Sequence, residues 1–182
     1  GGEPLGIALA CSQKTEKLLA DCSKETRAVV TRWFADDATT AADTKADVAT
    51  LLQGFKRITN VCNSTKLVFP DDPNDRKSAT KYGKLYGSVW PGGEGLFPVI
   101  YLAGAFKKAG NSGKLWLCAQ TIIHEASHLE VKTHDHQYDS AGLKPGASFP
   151  HAKAIANADS WGYFCVDLCG YLSKSDRETV LK

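Results

Sequence analysis

The run Thr121-Ile122-Ile123-His124-Glu125-Ala126-Ser127-His128 constrains this chain more than any other, because it sets two imidazoles four residues apart with a carboxylate beside the first. On a helix, residues at that spacing share a face, so His124 and His128 can turn ring nitrogens toward one cation while Glu125 stands beside any water bound there. The preceding stretch from Lys114 to Ile123 is mostly apolar, with Leu117, Thr121, His124 and His128 at helical spacing, and predicts a buried helix. A rigid metal site requires such a helix. The alternative is a pair of satisfied core histidines. The pattern implies Zn²⁺ and hydrolytic chemistry.

A tetrahedral catalytic zinc needs three protein ligands and leaves its fourth position to water. Candidates for the third lie in Thr133-His134-Asp135-His136-Gln137-Tyr138. Extending the motif to HExxHxxGxxH would select His134, but the glycine of that pattern is Val131 here, and a β-branched residue suits a left-handed turn badly. The chain also has no methionine from which a Met-turn could be built. A glutamate from a later helix is poorly placed, since the next one after Glu130 is Glu178.

Thr133-x-Asp135-x-x-Tyr138 after HExxH resembles the signature of the aspzincins, the deuterolysin and peptidyl-Lys metalloendopeptidase family. Asn157-Ala158-Asp159-Ser160-Trp161-Gly162-Tyr163-Phe164 is similar to the family's later Asn-Ala-Asp helix, and Pro98 to Phe106 to the strand before its active-site helix. The likeness covers roughly residues 80 to 170. It implies a zinc endopeptidase in which His124, His128 and Asp135 hold the metal, Glu125 is the general base and Tyr138 donates to the oxyanion. His134 and His136 flank Asp135 as substitute ligands. The sequence departs from the family at Lys132 and Asp139, where glycines are usual, and the segment from His128 to Asp135 is shorter by about two residues. In lysine-directed members the aspartate matching Asp159 and a nearby glutamate form an acidic pocket; here the glutamate position is Gly162. The resemblance therefore implies substrate binding by Asp159 and a weakened preference for lysine on the amine side of the cut.

A chain of 182 residues with 43% hydrophobic content can bury one good core, so a single domain over residues 1–182 is expected, as a monomer. The net charge of +2 gives no electrostatic case for nucleic acid, and there is no apolar run of membrane-spanning length. The lack of any methionine is expected of a processed form or an excised fragment. Six cysteines without a CxxC pair favour disulfides over a zinc cluster, and hence an extracellular or periplasmic location. Cys165 and Cys169, one helical turn apart, are expected to pair with different segments.

Helical spacing marks residues about 12 to 31 and 42 to 60, with Asp43 or Thr44 as a cap. Lys66–Phe69 and Val99–Leu102 read as strands. The expected class is α+β and zincin-like, predominantly helical with a small sheet whose edge strand precedes the HExxH helix. Residues 99–105 would then pair with an extended protein or peptide substrate. Two other functions compete with a secreted zinc endopeptidase: a lytic or toxin-like enzyme cutting cell-wall peptides, and a non-catalytic zinc- or protein-binding module. A pure binder has no need of the base Glu125.

Overall fold

Local hydrogen-bonding residues fix where the first helices start. The computed structural model describes residues 2–63, 88–93, 97–101 and 113–182, with 88–101 described by backbone alone. The stretch expected as one helix over 12–31 is two, α1 (Gly2–Asp21) and α2 (Lys24–Phe34). Cys22 takes φ 47°, which ends α1, and the Ser23 hydroxyl accepts the Thr26 amide at 3.2 Å to start α2. Helix α3 (Ala41–Cys62) spans the expected stretch within two residues at either end, but its cap is Thr40 and not Asp43 or Thr44. Thr40 and Asp43 exchange side-chain-to-backbone bonds of 3.1 and 2.9 Å, a reciprocal capping box.

After α3 the described chain resumes in a hairpin, β1 (Ser88–Gly93) and β2 (Phe97–Tyr101), antiparallel with Ser88 opposite Tyr101 and Trp90 opposite Val99. The expected α+β class is corrected here. The described residues form a predominantly helical fold in which no sheet layer appears, and a lone two-stranded ribbon is too narrow to cover a core of its own. The expected strand Lys66–Phe69 lies outside the described residues, as do positions 102–105 of the expected substrate platform. Short β-branched runs signal extended backbone but not how many strands will join it, and β2 pairs only with its neighbour in sequence.

Among the described residues four more α-helices follow, α4 (Leu115–Glu130), the short α5 (His151–Ala154), α6 (Ala158–Leu168) and α7 (Lys174–Val180), with a 3-10 turn at Asp139–Ala141. Helix α4 carries the two-histidine motif and lies against α6, α1 and α3, with the hairpin alongside. An aromatic seam holds α2, α3 and α6 together: Trp33 stacks on Tyr163 (5.9 Å), Phe34 meets Phe164 edge-on (5.3 Å) and Phe55 stacks on Trp161 (5.2 Å). The buried Asp167 accepts from Trp33 Nε1 (2.8 Å), Arg32 Nη1 (2.7 Å) and Arg177 Nε (3.0 Å), which ties α2, α6 and α7 at the far end of that seam. Three donors satisfy a carboxylate that would otherwise be costly to bury. Among the described residues no helix is long and apolar enough to cross a membrane.

All six cysteines are free thiols, so the expected disulfide framework is not present in this structure. Cys11, Cys165 and Cys169 nevertheless gather where α1 meets the end of α6: Thr15 Oγ1 lies 3.4 Å from Cys165 Sγ and 3.7 Å from Cys169 Sγ, and the Cys169 thiol donates to the Cys11 carbonyl at 3.4 Å. Cys62 and Cys118 are buried and pack as small apolar side chains.

The Trp161 ring of α6 lies against α3 only because residue 54 is glycine. A Cβ there would fall 2.4 Å from Trp161 Cη2 and 3.0 Å from Val131 Cγ2, and the Trp161 ring is held by its Nε1 bond to the Ile155 carbonyl (2.7 Å). Gly54→Ala is therefore expected to destabilise the protein by about 1–3 kcal/mol through overpacking, read as a lowered midpoint in denaturant or thermal unfolding.

Candidate metal centre

Helix α4 delivers His124 and Glu125 into the interior and His128 to its margin. The turn after it is built to bring a carboxylate back. Val131 closes the helix in right-handed geometry, and the left-handed residue is the next one, Lys132, at φ 63°. The backbone thus takes the conformation that a glycine would favour, with a lysine in its place. Thr133 is then pinned under the helix: its hydroxyl meets Ser127 Oγ at 2.6 Å, Ser127 Oγ donates to the His124 carbonyl at 2.6 Å, and the Thr133 carbonyl accepts His128 Nδ1 at 2.7 Å.

The next residues are registered on the start of α6. His134 bonds through both backbone groups to Ala156 and Ala158 (2.8 and 2.9 Å). Asn157 presents its side-chain amide to Gln137 as a strand would, accepting the amide at 3.0 Å and donating to the carbonyl at 2.9 Å. With the chain fixed on both sides, Asp135 Oδ1 arrives 2.9 Å from His124 Nε2 and 3.0 Å from His128 Nε2, and the two Nε2 atoms are 3.2 Å apart. His134 and His136, the substitute ligands, are exposed and contact each other with ring centroids 5.6 Å apart. Among the described residues the only group of three or more donors able to share one ion is His124, His128 and Asp135.

The chemistry of these donors fits a divalent cation. A carbonyl can only accept, so His128 Nδ1 donates to Thr133 and leaves the lone pair of the neutral ring on Nε2. His124 Nδ1 sits 2.7 Å from Asp159 Oδ1, and a carboxylate acceptor imposes the same tautomer. Two lone pairs and a carboxylate oxygen thus converge at separations near the edge, about 3.3 Å, of a tetrahedron with metal–ligand bonds of about 2.0–2.1 Å. Without a cation, protons hold the cluster together. Burial would lower the His124 pKa, but Asp135 and Asp159 override it and push the ring up to about 10. Burial raises Asp135, yet the two imidazoles hold its carboxyl far below the usual range. Metal and protons compete for these atoms.

Glu125 is buried, with Oε1 3.7 Å from His124 Nε2, and burial raises its pKa despite the two histidines. The Tyr138 ring lies parallel to that of His124, 7° from coplanar and 6.2 Å away, and its hydroxyl reaches Asp135. Burial and the carboxylates around it raise the phenol's pKa, so it stays a protonated donor. The Asp139 amide donates to Asp159 Oδ2 at 2.8 Å and Tyr163 donates to Asp139 Oδ2 at 2.6 Å, which anchors the loop behind Tyr138 to α6.

The resemblance implies substrate binding by Asp159, and the structure sets its carboxylate against donors of the protein itself. It is buried behind His124, bonded to that ring, to Gln120 Nε2 (2.9 Å) and to the Asp139 amide. Sequence reading assigned no role to Gln120, Thr133 or Asn157. Gln120 lies four residues before His124, a spacing that points to the same helical face.

The convergence of His124, His128 and Asp135 fits the class of zinc-dependent peptidases. The chain belongs to the aspzincin family: its residues 19–166 match the family model described as lysine-specific metallo-endopeptidase, and the protein is a zinc metalloendopeptidase. In fold it is similar to a zinc peptidase from Grifola frondosa, with a TM-score of 0.50 and 21% identity over 93% of this chain and 98% of that one. Among curated proteins nothing matches it.

The strained turn gives a direct test of the loop geometry. Lys132→Gly should stabilise the protein by about 1 kcal/mol, because a left-handed conformation costs a residue with a Cβ about that much more than glycine. A lowered unfolding midpoint would show that the turn is not left-handed in solution.

Proposed function

We propose that this protein cuts extended polypeptides internally, with His124, His128 and Asp135 as the zinc ligands, Glu125 as the proton carrier and Tyr138 as the oxyanion donor. The convergence of two imidazole lone pairs and the Asp135 carboxylate beside the buried Glu125 carries this reading. When bound, zinc supplies a Lewis acid that lowers the pKa of a coordinated water toward neutrality. Glu125, raised by burial, accepts a proton as water attacks the scissile carbonyl and returns it to the leaving amine. Tyr138 keeps its proton and donates to the oxygen that gains charge in the transition state.

The lysine preference expected of Asp159 needs a carboxylate oxygen turned toward the substrate. Both of its oxygens accept hydrogen bonds from the protein, so the proposal is confined to endopeptidase cleavage. Action outside the cytosol belongs to the same proposal and rests on the even number of cysteines, although all six are thiols in this structure.

Two substitutions separate the roles. Glu125→Gln is expected to keep one zinc per chain and lose several orders of magnitude in kcat, whereas Tyr138→Phe should keep zinc and lose about 10² to 10³, the contribution of one oxyanion donor. Peptide cleavage and elemental analysis on the same samples measure both, and full activity in Glu125→Gln would overturn the mechanism.

A further inference from the structure

Behind the metal-facing edge of His124 lies a buried relay that the peptidase chemistry does not itself require. Asp159 Oδ1 accepts from His124 Nδ1 at 2.7 Å and from Gln120 Nε2 at 2.9 Å, while Oδ2 accepts the Asp139 amide at 2.8 Å. Gln120 and Asp159 are 4% and 6% exposed, so this carboxylate is spent on protein donors and shielded from solvent. Gln120 is itself clamped by the close packing of α4 on α6: a Cβ at Gly162 would come within 2.7 Å of Gln120 Nε2 and 2.8 Å of its carbonyl oxygen.

Resting on the zinc peptidase reading, we propose that Gln120 and Asp159 are positioning residues for His124. Asp159 fixes the tautomer and plane of the ring and raises the basicity of its Nε2, and Gln120 fixes Asp159. Gly162 is the space that admits Gln120. A carboxylate bonded to the far nitrogen of a ligand histidine acts on metal affinity and on transition-state charge; a carboxylate that receives a substrate ammonium acts on the choice of substrate. In this protein Asp159 does the first. The Asp139 amide links the same carboxylate to the loop that carries Tyr138, so the ring and the oxyanion donor share one anchor.

The test compares wild type, Asp159→Asn and Gln120→Ala by zinc competition against a chelator, by kcat and KM on paired peptides with lysine or leucine on the amine side of the cut, and by the visible absorption of cobalt-substituted protein. Asp159→Asn removes the charge and keeps an acceptor. It should weaken zinc binding about 10- to 100-fold, shift the cobalt bands, and lower kcat equally for both peptides with the lysine-to-leucine ratio unchanged. Gln120→Ala should move the same quantities in the same direction by a smaller factor. The double variant should fall short of the product of the two, because both act through one carboxylate. Unchanged zinc affinity in Asp159→Asn with a collapsed lysine-to-leucine ratio would overturn the proposal and return Asp159 to substrate recognition. Should Asp159→Asn not fold, unchanged zinc affinity and cobalt spectrum in folded Gln120→Ala would overturn it equally. A wild-type protein that binds no zinc would instead defeat the peptidase reading itself, a different result on the same assay.

Discussion

Two imidazole nitrogens 3.2 Å apart, each left with its lone pair by the bond on the other side of its ring, repel unless positive charge lies between them. The packing around them works to hold that arrangement. Asp135 adds a third acceptor from outside the helix, and the supports of all three ligands are backbone or buried side chains: Thr133 for His128, Asp159 for His124, and the His134 backbone bridge for Asp135. Each support removes a rotation that an isolated ligand would keep, so less conformational entropy is lost when a cation binds.

The helices meet closely enough to do this because small residues stand where they cross. Gly54 lets α3 lie on Trp161, and Gly162 lets α6 lie on Gln120. The first contact sets the depth of α6 in the core and the second joins α6 to the metal-bearing helix. Since Asp159 and Asn157 both stand at the start of α6, its placement orients His124 and registers the ligand loop together. The same helix runs on to Asp167, whose three donors anchor its other end on α2 and α7.

The metal-facing residues were legible because their chemistry depends on spacing along one helix and one short turn, both local in sequence. The left-handed turn was not read from the sequence, which showed only that Lys132 stands where the family pattern has glycine. The surroundings of Asp159 were not legible, because a carboxylate reads the same in a sequence whether it faces a substrate cation or a histidine ring, and only the approach of α6 to α4 brings it beside His124. Gln120 carried no signal beyond its spacing from His124. The class went wrong because extended runs do not declare their partners, and the early helix boundary was missed because the Ser23 cap competes with a continuous apolar periodicity. The cysteines pointed to disulfides by parity alone, whereas pairing depends on contacts between distant segments.

The central claim is the ligand set, and X-ray absorption at the zinc edge of the metal-loaded protein tests it most directly. The account predicts four light-atom neighbours at about 2.0–2.1 Å, with multiple scattering from two imidazoles and none from a third. Loss of the metal in Asp135→Ala but not in His134→Ala or His136→Ala should accompany that spectrum. A third imidazole in the shell, a sulfur neighbour at about 2.3 Å, or zinc retained by Asp135→Ala would contradict it.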